Sequence, residues 1–323
     1  MPNFAIKSSA LTRILLTLTV LSAALFSGCG VFSDFARDNQ FHIGSLGLQD
    51  FISPVKLKVG ILPFRDEVGL GTPDAGPNLA VLMSERFAEN SQLVLISPAE
   101  AARAFASTGF DPKVELTAEQ AVELGRILNV NIIMDGAISQ IDQYRQRVGW
   151  RHLVRFFTNQ QTYLDAVLTL VAFDTSTGMV ISARAGEGIY KVGKHESDPF
   201  NTDRGIPTPS QESIEEGLEL AIDDAYYRTL DGLAYTPFKA IVVAHQGESV
   251  QIAYGKDVDL KKGLDFVALT HPETIVNKIN VEYQIPGGAK ARLEVSEVFD
   301  QTATLKIVEG NIEVGDFIQS WED

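Results

Sequence analysis

The run from Leu164 to Phe173 constrains the fold more than any other stretch of the chain. It is apolar at both alternating sets of positions, the pattern of a central strand covered on its two faces. Asp174-Thr175-Ser176-Thr177-Gly178 then reads as a short turn. Met179 to Tyr190 returns with Met179, Ile181, Ala183 and Ala185 at alternate positions on one face, which predicts a hairpin.

Flanking segments supply the rest of such a sheet and its cover. Lys56 to Phe64 reads as a strand, Gly69 to Asn78 as a Gly/Pro-rich loop, and Leu79, Leu82, Met83 and Phe87 keep helical spacing to about Asn90. Leu93 to Ser97 is a short strand, and Pro98 starts an Ala-rich helix. Thr117-Ala118-Glu119-Gln120 is a capping-box start for a helix to Leu128, and Asn131 to Ile141 is another strand. A long helix follows a polar stretch at 193–209. Thr208 is its expected cap, with Pro209 at the first helical position and Gln211 closing the box; Ile214, Leu218, Ala221, Ile222, Ala225 and Leu230 form its apolar stripe.

Pro237 marks a change to short strands and turns with no helix. Strands are expected near 238–245, 249–254, 264–270, 289–299, 302–308 and 315–321, which suggests a small barrel. The predicted fold class is therefore α+β or α/β. A mixed sheet flanked by helices occupies 55–235, and a small all-β barrel occupies 236–323.

The first residues read as an export signal. Lys7 and Arg13 precede an apolar run from Ile14 to Phe26, followed by Ser27, Gly28 and Cys29. That run is short of the roughly 20 apolar residues of a membrane-spanning helix. One reading of Cys29 is an ordinary thiol beside an ordinary cleavage site. The sharper one is that Leu25-Phe26-Ser27-Gly28-Cys29 resembles a bacterial lipobox, with 1–28 removed and Cys29 acylated by palmitate-type chains. Phe26 departs from the Leu usual there. Cys29 is the only cysteine, and it stands where a lipobox needs it. By the same resemblance Gly30, in place of an Asp, implies sorting to the outer membrane, facing the periplasm. Residues 29–54 then form a lipidated tether.

Composition excludes several functions. The net charge of −15 argues against nucleic-acid binding, and a lone cysteine with five scattered histidines (42, 152, 195, 245, 271) offers no metal-ligand spacing. Gly69-Leu70-Gly71-Thr72-Pro73-Asp74 begins like a dinucleotide fingerprint but lacks the third glycine, so a plain β–α loop is expected. Glu215, Glu219 and Asp223 share one helix face, which suits a cation but more simply a solvated acidic surface. No nucleophile–base arrangement can be argued. The expectation is a non-enzyme with no cofactor, no metal and no small-molecule substrate.

Tyr144 to Phe157 is an electrostatic anomaly. Read as extended, Arg145, Arg147, Arg151 and Arg155 point to one side, and Val148, Trp150, His152, Val154 and Phe156 to the other. Either this is a half-buried strand with a solvated outer face, or the arginines bind an anionic partner such as a neighbouring acidic subunit.

Short motifs carry family resemblances. Val59-Gly60-Ile61-Leu62-Pro63-Phe64, the stretch Leu124 to Gly136, and Leu168 to Ser182 are similar to segments of the curli-secretion CsgG family and of the TolB amino-terminal-like domain. Lys262 to Phe266, Ala291 to Val298 and Val314 to Phe317 resemble the SH3-like barrel of the flagellar assembly protein FlgT. The resemblance implies an envelope lipoprotein that forms a homo-oligomer or binds an envelope machine, as a scaffold or ring component of a flagellar basal body or secretion system. It also admits a CsgG-like secretion channel or a lipoprotein regulator of a cell-wall synthase. The places corresponding to a channel's membrane hairpins, 139–163 and 193–209, are interrupted by Gly149 and polar throughout, respectively, which weighs against a pore.

Overall fold

The computed structural model describes residues 53–148, 159–195, 208–270, 273–276, 282–285 and 288–321. The signal segment, Cys29 and nearly all of the tether lie outside them. Gly47 to Asp323 forms one compact unit.

The expected mixed sheet is present. β1 (Leu57–Ile61) runs parallel to β3 (Leu93–Leu95) on one side and to β4 (Ile132–Val148) on the other. β5 (Asn159–Asp174) and β6 (Val180–His195) continue it as antiparallel neighbours, giving the order β3-β1-β4-β5-β6. A two-residue strand, β2 (Arg65–Asp66), also pairs with β4. β5 is thus an interior strand, paired on both sides, with one face buried and the other half-buried.

Alternation decides what covers each face. Leu57, Val59, Ile132, Met134 and Leu168 meet α1 (Ala75–Ala88) and α4 (Gln211–Ala234) through Met83, Phe87, Leu218 and Ile222. Leu62, Ile133 and Phe173 meet α2 (Pro98–Thr108) and α3 (Ala118–Leu128) through Ala101, Ala121 and Leu124. The capping box at Thr117 forms as expected: its side chain accepts from Gln120 N, and its own N–H donates to Gln120 Oε1 at 2.9 Å.

Two local expectations are corrected. First, α1 begins at Ala75, inside the expected loop. Pro77 lies in its first turn, where a missing N–H costs nothing, and Gly76 lies where a Cβ would come 2.0 Å from Phe64 O. Second, the cap of α4 is Ser210, not Thr208: the Ser210 side chain accepts from Ser213 N at 3.2 Å, so Pro209 precedes the cap. The hairpin of β5 and β6 forms as expected, and the face holding Met179, Ala183 and Ala185 is the exposed one, with Ile181 half-buried. The covered face holds Ser182, Gly186 and Gly188. The cause is the approach of α4. A Cβ at Gly188 would lie 2.0 Å from Gly217 O, and one at Gly186 would lie 2.2 Å from Ala221 O.

The second layer is a closed barrel in the order β12-β13-β8-β7-β14-β9. Its strands are β7 (Lys239–Gln246), β8 (Ser249–Ile252), β9 (Asp265–Leu269), β12 (Ala289–Val298), β13 (Ala303–Gly310) and β14 (Phe317–Ser320). All six fall where the alternation placed them. The sequence reading missed a 3-10 turn at Lys256–Val258 and a hairpin of β10 (Glu273–Val276) with β11 (Glu282–Ile285).

Barrel and sheet share one apolar cluster, which includes both Leu57 and Phe238. Polar bonds lock the seam. Asn131 accepts from Lys58 N at 2.9 Å and donates to Lys239 O at 2.6 Å. Lys239 Nζ meets Asp174 at 2.5 Å, and Lys56 N donates to Val258 O at 3.0 Å.

Candidate interaction surface

The strands β4, β5 and β6 are far longer than their neighbours, at 17, 16 and 16 residues. β1 and β2 pair with β4 only as far as Ile138. Farther along, the three strands continue as an antiparallel ribbon, and among the described residues no strand pairs with the outer edge of β4. At about 3.4 Å per residue β4 alone spans roughly 55 Å.

Near the body this ribbon is held by α4. Close approaches run from Gly232 at Ser182 to Gly217 at Leu164 and Gly188. The free edge of β6 is partly blunted there: Glu187 N donates to Asp224 Oδ2 at 3.0 Å, and Asp224 also takes Arg228 Nε at 3.0 Å.

Farther out the composition changes. Asp142 and Asp165, opposite one another, are the last acids of β4 and β5. Residues 143–148, 159–164 and 190–195 hold Arg145, Arg147, Lys191 and Lys194 and no Asp or Glu. Arg145 and Arg147 occupy alternate positions of β4, opposite Thr162 and Gln160. Arg145 is half-buried. Arg151 and Arg155 lie outside the described residues. Lys191, opposite Tyr163, is exposed, and Lys194 is opposite Gln161. Sequence reasoning missed these two lysines, because only the strand register brings them to the same ribbon end as Arg145 and Arg147, at positions of the opposite face.

Tyr144 and Tyr163 stack across the ribbon with centroids 5.7 Å apart and planes at 21°. Tyr163 Oη donates to Gln161 Oε1 at 2.7 Å. Both polar side-chain atoms of Gln143 are buried without a hydrogen-bond partner.

The other candidates resolve into structure. Asp66 accepts from Gly69 N at 2.8 Å and Gly71 N at 3.3 Å, so the Gly loop spends these donors on its own carboxylate rather than on a phosphate. The acidic face of α4 is met by Arg86 of α1, whose Nε lies 2.6 Å from Asp223 and whose Nη2 lies 3.3 Å from Glu219. Asp223 in turn raises the pKa of that guanidinium. Glu215 accepts from Gln211 at 2.9 Å. No group of three potential metal ligands occurs among the described residues.

Asp135, inside β4, is the one buried carboxylate the sequence did not single out. It accepts from Leu116 N at 3.0 Å and is paired with Arg65 Nη1. Burial raises its pKa even against the neighbouring guanidinium and the Leu116 hydrogen bond. The pair pins β2 and the approach to α3 onto the sheet. No described helix is long and apolar enough to cross a membrane.

No protein-family model and no curated protein matches the chain. The resemblance to the curli-secretion and flagellar families therefore rests on the short motifs alone. Solved structures do match in part. The hypothetical protein CT253 from Chlamydia trachomatis is 14% identical over 55% of this chain and 98% of its own, with a TM-score of 0.33. Lipoprotein GNA1162 from Neisseria meningitidis is 11% identical over 42% and 84%, with a TM-score of 0.30. The LpoB C-terminal domain from Escherichia coli is 15% identical over 45% and 90%, with a TM-score of 0.29. At TM-scores this low the likenesses carry no argument about what this chain does.

Proposed function

We propose that the chain is a lipoprotein held to the outer membrane by an acyl group on Cys29, facing the periplasm. It acts there as a non-enzymatic scaffold or ring component for an envelope machine, such as a flagellar basal body or a secretion system. The observation that carries this reading is the ribbon. Three long strands leave a body whose two layers are locked together, and their described ends are polar and basic. A stiff sheet end of this kind is suited to docking. The contact includes Arg145 and Arg147.

The same strand ends speak against the channel alternative. Gln143 to Arg147 and Asn159 to Thr162 contain no alternating apolar row to face lipid. The test is the mass and shape of the full lipoprotein in mild detergent, by light scattering and negative-stain imaging. Closed rings or a defined oligomer are expected, and Arg145→Glu with Arg147→Glu should shift it toward monomer. A monomer under all conditions, including with its purified envelope partners, would sink the scaffold reading and favour the regulator.

A further inference from the structure

From the ribbon's composition we infer that its end, around Lys191 and Lys194, docks on anionic phospholipid at the surface of the bilayer. The inference rests on the envelope-lipoprotein reading and adds a second, non-covalent membrane contact to it.

Three observations point the same way. The first is charge. The protein is acidic, at −15 overall, yet beyond Asp142 and Asp165 the described ends of the three strands carry two arginines, two lysines and no acid, with Glu196 and Asp198 next in the sequence after β6. An acidic body near an anionic leaflet is repelled by it unless it presents such an end. The second is the company the lysines keep. Lys191 is exposed and directly opposite Tyr163, whose ring is stacked on Tyr144. Tyrosine beside lysine is the pairing favoured at membrane–water interfaces, where the ring sits at headgroup depth and the ammonium meets phosphate.

The third is reach. The 23 residues between Cys29 and Ser53 can extend to roughly 75–80 Å. That exceeds the roughly 55 Å length of β4, so an anchored chain can lay its ribbon end on the leaflet that holds its acyl group. Tethering then makes the contact intramolecular and raises its effective concentration.

The experiment uses the full chain with Cys29→Ser, so that no acyl group contributes, and measures partition onto phosphatidylcholine vesicles with and without phosphatidylglycerol. Partition should be stronger with phosphatidylglycerol and should fade as salt is raised. Lys191→Gln with Lys194→Gln should lower it roughly 25-fold on the anionic vesicles, about fivefold per charge, and leave the neutral vesicles unchanged. The amino-terminal segment is common to both proteins and cancels in that ratio. An unchanged urea midpoint excludes misfolding as the cause. A double variant that partitions like its parent would overturn the inference, as would a parent with no preference for the anionic lipid.

Amine labelling of the lipidated protein gives a second reading. Lys191 should be protected in anionic vesicles while Lys261 on the barrel, 68% exposed, stays reactive. Protection of Lys191 in lipid-free detergent assemblies would mark the surface as a contact between copies and end the lipid proposal. Partition is independent of ring formation, so a monomer that still binds anionic vesicles would remove only the scaffold reading.

Discussion

Two stretches of the same three strands, a few residues apart, obey different rules. Near the body, Ile138, Leu168 and Gly186 lie side by side across β4, β5 and β6, all buried beneath α4. Farther out, the matching row is Arg145, Thr162 and Gly193. The backbone pairing runs on between them, through one register shift on each side of β5. In the first row each side chain is fixed by what it packs against, down to the absence of a Cβ. In the second, Thr162 is buried, Arg145 is half-buried and Gly193 is exposed, so the row combines a covered strand with an open edge.

The sharpest way to break this contrast is to disturb the first region. Gly188→Val puts a side chain where even a Cβ would lie 2.0 Å from Gly217 O, a backbone atom that cannot swing aside. We expect a loss of about 4 kcal/mol, or of cooperative folding altogether, in urea denaturation. A loss under about 1 kcal/mol would mean that α4 is free to back away and that its close approach is incidental.

Asp135→Ala comes next. It strands the Arg65 guanidinium, whose side chain is only 10% exposed, and the Leu116 N–H, at an expected cost of about 3 kcal/mol. The carboxyl also titrates with a distinctive sign. Its folded pKa is raised by burial, so the native state holds this proton more tightly than the unfolded chain does. Its contribution is complete below the ordinary carboxylate range and is lost as pH rises through the raised value. Asp135→Asn should flatten that part of the stability–pH curve. If the curve keeps its slope, another group is responsible.

Lys239→Gln tests the seam. It removes the 2.5 Å contact with Asp174 but leaves Asp174 bonded to Ser176 N at 2.8 Å, so about 1.5 kcal/mol is expected at the same midpoint measurement.

The contrast also explains what could be read from the sequence. Periodicity reports packing. The run Leu164 to Phe173, the stripe on α4 and all six barrel strands were legible because their side chains answer to a core. The covered face of β6 was not, because burial there is achieved with Ser182, Gly186 and Gly188, and small residues carry no hydrophobic signal. Thr208 reads as the cap because Pro209 fits a first helical position, and nothing local to the sequence singles out Ser210, another short hydroxyl residue. Arg145 and Arg147 were visible as a stripe within one strand. Lys191 and Lys194 were not, because their relation to that stripe lies in strand register, which a single sequence does not display. The pairing of Arg65 with Asp135, and of Arg86 with Asp223 and Glu219, was hidden for the same reason: each joins elements far apart in the chain.

The smallest expected effect is the most pointed test of the contrast. Lys191→Gln makes the same chemical change as Lys239→Gln, but on the mixed sheet rather than the barrel, at the exposed position opposite Tyr163. With no core contact to lose, stability should move by less than about 0.5 kcal/mol in either direction. The two substitutions, compared in one set of urea curves, separate a lysine that serves the fold from one that does not. A cost at Lys191 equal to that at Lys239 would mean that the ribbon end is held by interactions within the chain, and the case for an external contact there would lose its physical basis. Near-zero cost, together with weaker partition onto anionic vesicles when Lys194 is also changed, would place the whole effect of these charges outside the fold.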